Sequence, residues 1–75
     1  MPVKGKYFLI ISEDSGLALD VKGAGKSPGT DVIMWDKSGN DNQLWYEHPI
    51  TGTIHSKHCD LCLEFSSKSA ASLCI

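Results

Sequence analysis

Arginine is absent from this 75-residue chain, and its seven basic residues are lysines set against nine acidic residues. A net charge of −2 without a basic cluster argues against a nucleic-acid partner, because phosphate neutralisation supplies most of that affinity. No apolar run approaches the roughly 20 residues of a membrane span, so we expect no membrane insertion. Residues 1–12 lack the pattern of a cleavable signal peptide, which predicts a reducing compartment or export by an unconventional route.

Cysteine is also scarce: the chain has three, Cys59, Cys62 and Cys74, and an odd number leaves at least one thiol without a disulfide partner. The sequence leaves open whether Cys62 and Cys74 pair. No framework of disulfides spans the chain, so we expect oligomerisation or a metal to supplement its small core. His55, His58, Cys59 and Cys62 offer four zinc-type donors, although all four lie in one short stretch. A small zinc-binding interaction protein is therefore the alternative function, while the main interpretation below needs no metal or other cofactor.

Turn residues recur about every eight to twelve positions, a spacing typical of a small all-β sandwich or barrel. Residues 6–11 form an apolar run that predicts a strand buried on both faces. Leu17, Leu19 and Val21 alternate with small or polar residues, as in a half-buried strand, and Gly16 supplies the turn of a hairpin. The other predicted strands are residues 31–35, 43–47, 53–56 and 61–65, and only residues 66–73 could form a helical turn.

The chain contains an internal repeat with a period of 44 residues. Four residues fall on identical ones at this spacing: Ile10 on Ile54, Ser12 on Ser56, Leu17 on Leu61, and Leu19 on Leu63. We therefore predict that residues 1–75 form a single domain. It would hold one complete repeat at about residues 6–49 and part of a second at about residues 50–75, without a counterpart of Trp35.

Four ordered motifs of the repeat are similar to the ricin-type (R-type) lectin repeat. They are Leu19-Asp20-Val21, Gly29-Thr30-x-Val32-x-x-Trp35, Asn42-Gln43-Leu44-Trp45 and Gly52-x-Ile54, and the third contains the QxW signature of the family. The chain most resembles the cysteine-poor galactose-binding lectins of annelids. The resemblance covers about residues 6–65 and implies a β-trefoil, in which three such repeats close a barrel. This chain would supply little more than half of one trefoil, so the fold is expected to be completed by oligomerisation.

The resemblance also implies a galactose site made by Asp20, Trp35, Asn42 and Gln43. Asp20 would accept hydrogen bonds from two vicinal hydroxyls, and Trp35 would cover the apolar face of the sugar. Asn42 would bond a hydroxyl, while Gln43 would hold Asp20 and the nearby backbone. Ile33 stands where some relatives place a polar contact residue. Without the resemblance, the first three residues could equally be a solvated carboxylate, an ordinary strand tryptophan and a loop cap.

The expected function is a non-catalytic lectin for glycans that contain galactose or N-acetylgalactosamine, made multivalent by self-association. An enzyme is not expected, because Asp20 and Glu64 would lie in different repeats, too far apart to share a glycosidic oxygen. Trp45 is expected in the core. A homodimer is favoured because a partial trefoil would leave strand edges unpaired. It would also expose the inward faces of Leu19, Val21, Trp45, Ile54 and Leu63.

Overall fold

The computed structural model describes residues 6–67 and 70–74. Its strands are β1 (Ala18–Val21), β2 (Asp31–Trp35), β3 (Trp45–Glu47), β4 (Ile54–Ser56), β5 (Cys62–Ser67) and β6 (Ala70–Cys74). They form one antiparallel sheet in the order β1-β2-β6-β5-β4-β3. The helices of this described part are two short 3₁₀ turns, Lys22–Ala24 and Asp41–Gln43, and neither is long and apolar enough to cross a membrane.

The turn before β1 forms as the sequence predicts, and its geometry recurs 44 positions later. Gly16, at φ +73°, donates its N–H to the carbonyl of Ser12, and Ser12 donates to Leu17, both at 2.9 Å. The same two bonds close the turn between β4 and β5, at 2.8 and 2.9 Å, with Asp60 at φ +63° in the place of Gly16. Aspartate is one of the few L residues that occupy this left-handed region. The repeat in the sequence is thus also a repeat of turn geometry.

Residues 6–11 do not form the predicted strand buried on both faces. Phe8 exchanges two backbone hydrogen bonds with Trp45 of β3, at 2.9 and 3.0 Å, whereas Ile11 bridges to Ala18 of β1. Because the segment divides its bonds between two neighbours, neither pairing extends into a regular strand, and Ile11 stays 42% exposed. This segment therefore contacts both outer strands, β1 and β3, but only through one isolated bridge each.

Strand β1 is buried on both faces, whereas alternation in the sequence predicted burial of one. Leu19 and Val21 face the core cluster. Asp20, on the opposite face, is covered by Asn42 and Gln43, whose side-chain amides donate to its carboxylate. Burial of a charged group is tolerated because these donors replace its water.

The observed bounds of the other strands agree with the sequence prediction in one case and differ from it in two. The prediction for β2 is confirmed over all five of its residues, Asp31–Trp35. The strand predicted over residues 43–47 begins at Trp45, because a 3₁₀ turn occupies Asp41–Gln43. The helical turn considered for residues 66–73 is wrong, since the described part of that stretch belongs to β5 and β6.

The core is assembled within one chain. Its buried members are Leu19, Val21, Val32, Trp45 and Leu73, with Ile54 and Leu63 partly buried against them. The indole N–H of Trp45 donates to the carbonyl of Leu19 at 3.2 Å, and the ring is fully buried, which confirms the predicted core role. The expectation that Leu19, Val21 and Trp45 would be exposed is wrong, because β6 brings Leu73 onto the same cluster.

A disulfide joins Cys62 of β5 to Cys74 of β6, with Cα atoms 5.0 Å apart, and Cys59 is free. The sequence left this pairing open, and the expectation of a core without a disulfide is corrected. The two half-cystines lie opposite each other in the β5–β6 register. In the β1–β2 pair, Ala18 lies opposite Trp35 in the same way. Cys62 is 44 positions after Ala18, so its partner Cys74 takes the place in the β5–β6 pair that Trp35 has in the β1–β2 pair.

We predict that the double substitution Cys62→Ala and Cys74→Ala lowers the free energy of unfolding by about 3 kcal/mol, because the cross-link restricts the unfolded chain. Cys59→Ala is the matched control and should lose clearly less, since that thiol makes no cross-link. Urea unfolding measures both variants. Equal losses in the two variants would show that the disulfide contributes nothing beyond packing.

Candidate functional site

A cleft of about 490 Å³ lies beside β1 and β2. The 3₁₀ turn Lys22–Ala24 and polar residues of the loop before β3 form its remaining walls. Three of the residues predicted to form a site, Asp20, Trp35 and Asn42, line this cleft. The fourth, Gln43, is fully buried. The structure therefore brings the four side chains together, with three at the surface of the cleft and one behind it.

Asp20 presents its carboxylate to the cleft from β1 and is only 7% exposed. Its Oδ1 accepts a hydrogen bond from Asn42 Nδ2 at 3.2 Å, and its Oδ2 accepts one from Gln43 Nε2 at 2.9 Å. An ionised carboxylate has about four acceptor positions, so each oxygen retains a lone pair. The carboxylate is thus fixed in orientation and can still accept two further hydrogen bonds.

Gln43 holds this arrangement from behind. Its Nε2 donates to Asp20 and, at 2.7 Å, to the backbone carbonyl of Asp36. Its Oε1 accepts from the backbone N–H groups of Ser38 and Gly39, at 2.8 and 3.3 Å. All four hydrogen-bonding positions of the amide are therefore used, and a ligand finds no free polar group on this side chain. Gln43 couples the cleft carboxylate to the loop that follows β2.

Asn42 has one polar atom left for a ligand. Its Nδ2 donates to Asp20 Oδ1 and to the backbone carbonyl of Val21, both at 3.2 Å. These two bonds use both amide hydrogens, and they leave Oδ1 as the remaining acceptor. The side chain is half-buried at the wall of the cleft, so that this oxygen is the group it can offer.

Trp35 supplies the apolar part of the cleft. It is the last residue of β2 and is 60% exposed, although tryptophan is usually well buried. Ile33, two positions earlier and on the same face of the strand, also lines the cleft and lies opposite Asp20 in the register. The cleft therefore combines an exposed aromatic ring and an aliphatic side chain with a fixed carboxylate.

Sequence reasoning missed five residues that line the cleft: Lys22, Gly23, Ala24, Ser38 and Asn40. Turn signals located both loops, but the direction in which each loop residue points depends on the backbone. Gly23 and Ala24 have φ values of +61° and +54°, and this left-handed pair turns the chain along the cleft. Glycine is a signal for such a turn, whereas an alanine in that conformation has none.

The four residues of the alternative zinc site are not assembled into one. Cys62 is bonded to Cys74, and Cys59 packs against the core cluster. Both ring nitrogens of His55 and of His58 lie within hydrogen-bond distance of neighbouring oxygens. Across residues 6–67 and 70–74, no group of three or more histidine, cysteine or acidic side chains is arranged to hold a metal ion.

Comparison with known proteins relates residues 1–73 to the ricin-type β-trefoil lectin domain-like family. The chain is similar to the C-half of an earthworm R-type lectin, whose structure was solved in complex with GalNAc. The two are 36% identical, with a TM-score of 0.77 over 89% of this chain and 53% of that one. The chain thus spans about half the length of that lectin structure. No curated protein sequence matches it significantly.

Two further solved structures share the fold. A designed threefold symmetric protein, ThreeFoil, is 27% identical, with a TM-score of 0.76 over 97% of this chain and 58% of that one. An exo-β-1,3-galactanase from Clostridium thermocellum is 29% identical, with a TM-score of 0.77 over 95% of this chain but only 17% of the enzyme. These similarities confirm the resemblance inferred from the four motifs and the prediction of an all-β, partial β-trefoil fold.

We predict that Gln43→Leu lowers the free energy of unfolding by at least about 3 kcal/mol, because it removes the partner of one oxygen of a buried carboxylate, of a carbonyl and of two N–H groups. Asn40→Leu, an exposed amide in the same loop, is the control and should change stability little. Thermal and urea unfolding measure both. A Gln43→Leu protein as stable as the control would show that the buried amide does not hold the loop.

Proposed function

This chain belongs to the ricin-type β-trefoil lectin-like domain family, and we propose that it is a non-catalytic lectin for glycans that contain galactose or N-acetylgalactosamine. One observation carries the proposal: a buried carboxylate, fixed by two amides, shares a cleft with an exposed indole ring. A pyranose needs both partners, since it has hydroxyls at its edge and an apolar C–H surface on one face.

The chemistry of the cleft matches galactose in two respects. Its axial 4-hydroxyl leaves one face of the sugar ring apolar, and the exposed ring of Trp35 can cover that face. The 3- and 4-hydroxyls are vicinal, and each can donate to one oxygen of Asp20. A third hydroxyl can donate to Asn42 Oδ1. The groups offered by these two side chains are thus acceptors, and the sugar acts as the donor.

Selectivity between galactose and N-acetylgalactosamine is expected to be weak. The two sugars differ only at C2, and the contacts assigned to Asp20 use the hydroxyls at C3 and C4. The similar earthworm structure contains GalNAc, which supports a cleft that tolerates the acetamido group. Binding should therefore depend on the configuration at C4, because an equatorial hydroxyl there would not meet the carboxylate from the same direction.

A binding role rather than a catalytic one follows from the carboxylates. Glycoside hydrolysis needs two carboxyl groups on either side of the scissile bond, about 5–9.5 Å apart. Among the described residues that line the cleft, Asp20 is the only acidic one. Glu64, its counterpart 44 positions later, is exposed on β5. Both oxygens of Asp20 are also held by amides, which favours a fixed acceptor over a nucleophile.

The β5–β6 pair is not expected to bind sugar. Cys74 occupies the register position that corresponds to Trp35, so this position carries no aromatic ring in the β5–β6 pair. Glu64 lies opposite Ser72, whereas Asp20 lies opposite Ile33. We therefore assign one galactose-binding cleft to each chain, and any multivalent recognition must come from association of chains.

Self-association into a dimer is part of the proposal. The chain spans about half of the similar lectin structure, so two copies approach the size of one such domain. Ile50 and Phe65 are 85% and 64% exposed, and they are apolar groups that a partner could cover. Two copies would present two clefts on one particle, and the second binding event would then gain from a high effective concentration.

We expect Asp20→Asn to weaken galactoside binding at least about tenfold, because hydrogen bonds to a charged group contribute about 1.5–3 kcal/mol. Glu64→Gln, the corresponding change in β5, should leave the affinity unchanged. Calorimetric titration with methyl galactoside measures both, and near-ultraviolet circular dichroism checks that each variant is folded. A folded Asp20→Asn protein that binds like the wild type would remove this carboxylate from the site.

Sedimentation at micromolar concentration tests the dimer. We expect a species of twice the chain mass of 8.2 kDa, and Phe65→Thr should shift it towards the monomer by making an exposed apolar contact polar. Thr53→Val, which adds no polar surface, serves as a control and should leave the mass unchanged. A folded wild-type particle with the mass of one chain would disprove self-association while leaving sugar binding at a single cleft intact.

A further inference from the structure

We infer that His58 is a positioning residue for the cleft, which it reaches from the turn between β4 and β5. The inference rests on the proposed function, because it concerns the wall of the same cleft. His58 lies in the turn between β4 and β5 and does not itself line the cleft. It contacts the end of the 3₁₀ turn Lys22–Ala24, which does.

The ring of His58 connects two parts of the chain through both nitrogens. Its Nε2 lies 2.8 Å from the backbone carbonyl oxygen of Gly25 and 3.1 Å from that of Ala24. Carbonyl oxygens only accept hydrogen bonds, so Nε2 must carry the hydrogen. On the other side, Nδ1 lies 2.9 Å from Oγ of Ser56, which is fully buried. The ring is thus anchored to β4 and donates to the loop that walls the cleft.

The contact from His58 falls beside a strained position of this loop. Ala24 has φ +54°, a left-handed conformation that costs energy in any residue with a Cβ. The backbone bond that closes the turn, from the N–H of Gly25 to the carbonyl of Lys22, is long at 3.2 Å. The hydrogen bond from His58 falls on the carbonyls of Ala24 and Gly25, immediately after the strained position, where it opposes relaxation of the turn.

The far end of the same loop is held by the same half of the chain. The N–H of Gly29 donates to the carbonyl of Leu73 at 2.8 Å, and the N–H of Leu73 donates to the carbonyl of Thr30 at 2.9 Å. Residues 24–30 are therefore tied at one end by His58 and at the other by β6. The β4–β5 turn and β6 together fix the wall of the cleft beside β1 and β2.

Three variants test this role. His58→Phe keeps a ring of similar size but removes the donor, and His58→Gln restores an N–H at about the reach of Nε2. His48→Phe is the control, because the ring of His48 accepts hydrogen bonds from Ile50 and Thr51 of its own turn and does not line the cleft. Two quantities are measured for each: the affinity for methyl galactoside by calorimetry, and the rate of amide hydrogen exchange at Gly25 by NMR.

We expect His58→Phe to weaken galactoside binding about fivefold and to speed exchange at Gly25 by a similar factor, the value of one ordinary hydrogen bond. His58→Gln and His48→Phe should stay near the wild type in both. Unchanged affinity and exchange in a folded His58→Phe protein would overturn the inference. If the wild type binds no galactoside, the proposed function fails, and exchange at Gly25 alone decides whether His58 holds the loop.

Should His58→Phe fail to fold, the nitrogen NMR signals of the His58 ring in the wild-type protein test the same contact. The contacts with two carbonyls require a hydrogen on Nε2, and the neutral ring would then accept from Ser56 through Nδ1. A neutral ring with its hydrogen on Nδ1 would contradict the proposed contact, because Nε2 would then have no hydrogen to donate to the two carbonyl oxygens.

Discussion

Burial of one carboxylate beside one carboxamide is the constraint on which the rest of the structure depends. Asp20 can leave water only because Asn42 and Gln43 donate to it, and Gln43 can be buried only because Asp20 and three backbone groups satisfy it. Two positions later, Trp45 donates to the carbonyl of Leu19, the residue before Asp20. The QxW signature therefore binds strand β1 twice, once through its amide on the cleft side and once through its indole on the core side.

Much of this could be predicted from the sequence, because the relevant information is local or fixed by spacing. The turn residues on both sides of β2 predict a strand of the observed length. The bulk of Trp45 within the QxW motif predicts a core position, and the order of the four motifs brings Asp20, Trp35 and Asn42 to one cleft. The strand follows from its flanking turn residues, whereas the roles of Trp45 and of the cleft residues follow from the resemblance to the ricin-type lectin repeat.

Other features depend on pairing between distant segments, which no local pattern records. Residues 66–73 are rich in serine and alanine and have little strand preference, yet the described part of them joins β5 and β6, where register and a disulfide fix them. The apolar run at residues 6–11 has strong strand preference, but it serves two neighbours and forms no strand. Loop walls of the cleft were missed for a related reason: left-handed Ala24 is held by His58, far away in sequence.

The bridging role of residues 6–11 has a consequence for the order in which the chain can fold. Phe8 meets Trp45 while Ile11 meets Ala18, and β2 meets β6 some forty positions away. Four of the five strand pairings join strands that are consecutive in sequence, whereas β2–β6 and the Phe8–Trp45 bridge join residues roughly forty positions apart. Only these two distant contacts must overcome the entropy of closing a long loop. These two closures are expected to follow the local pairings, since folding slows as contact order rises. The β5–β6 pair, in which Ser67 lies opposite Ala70, is the most local pairing of the sheet, and it is the natural starting point.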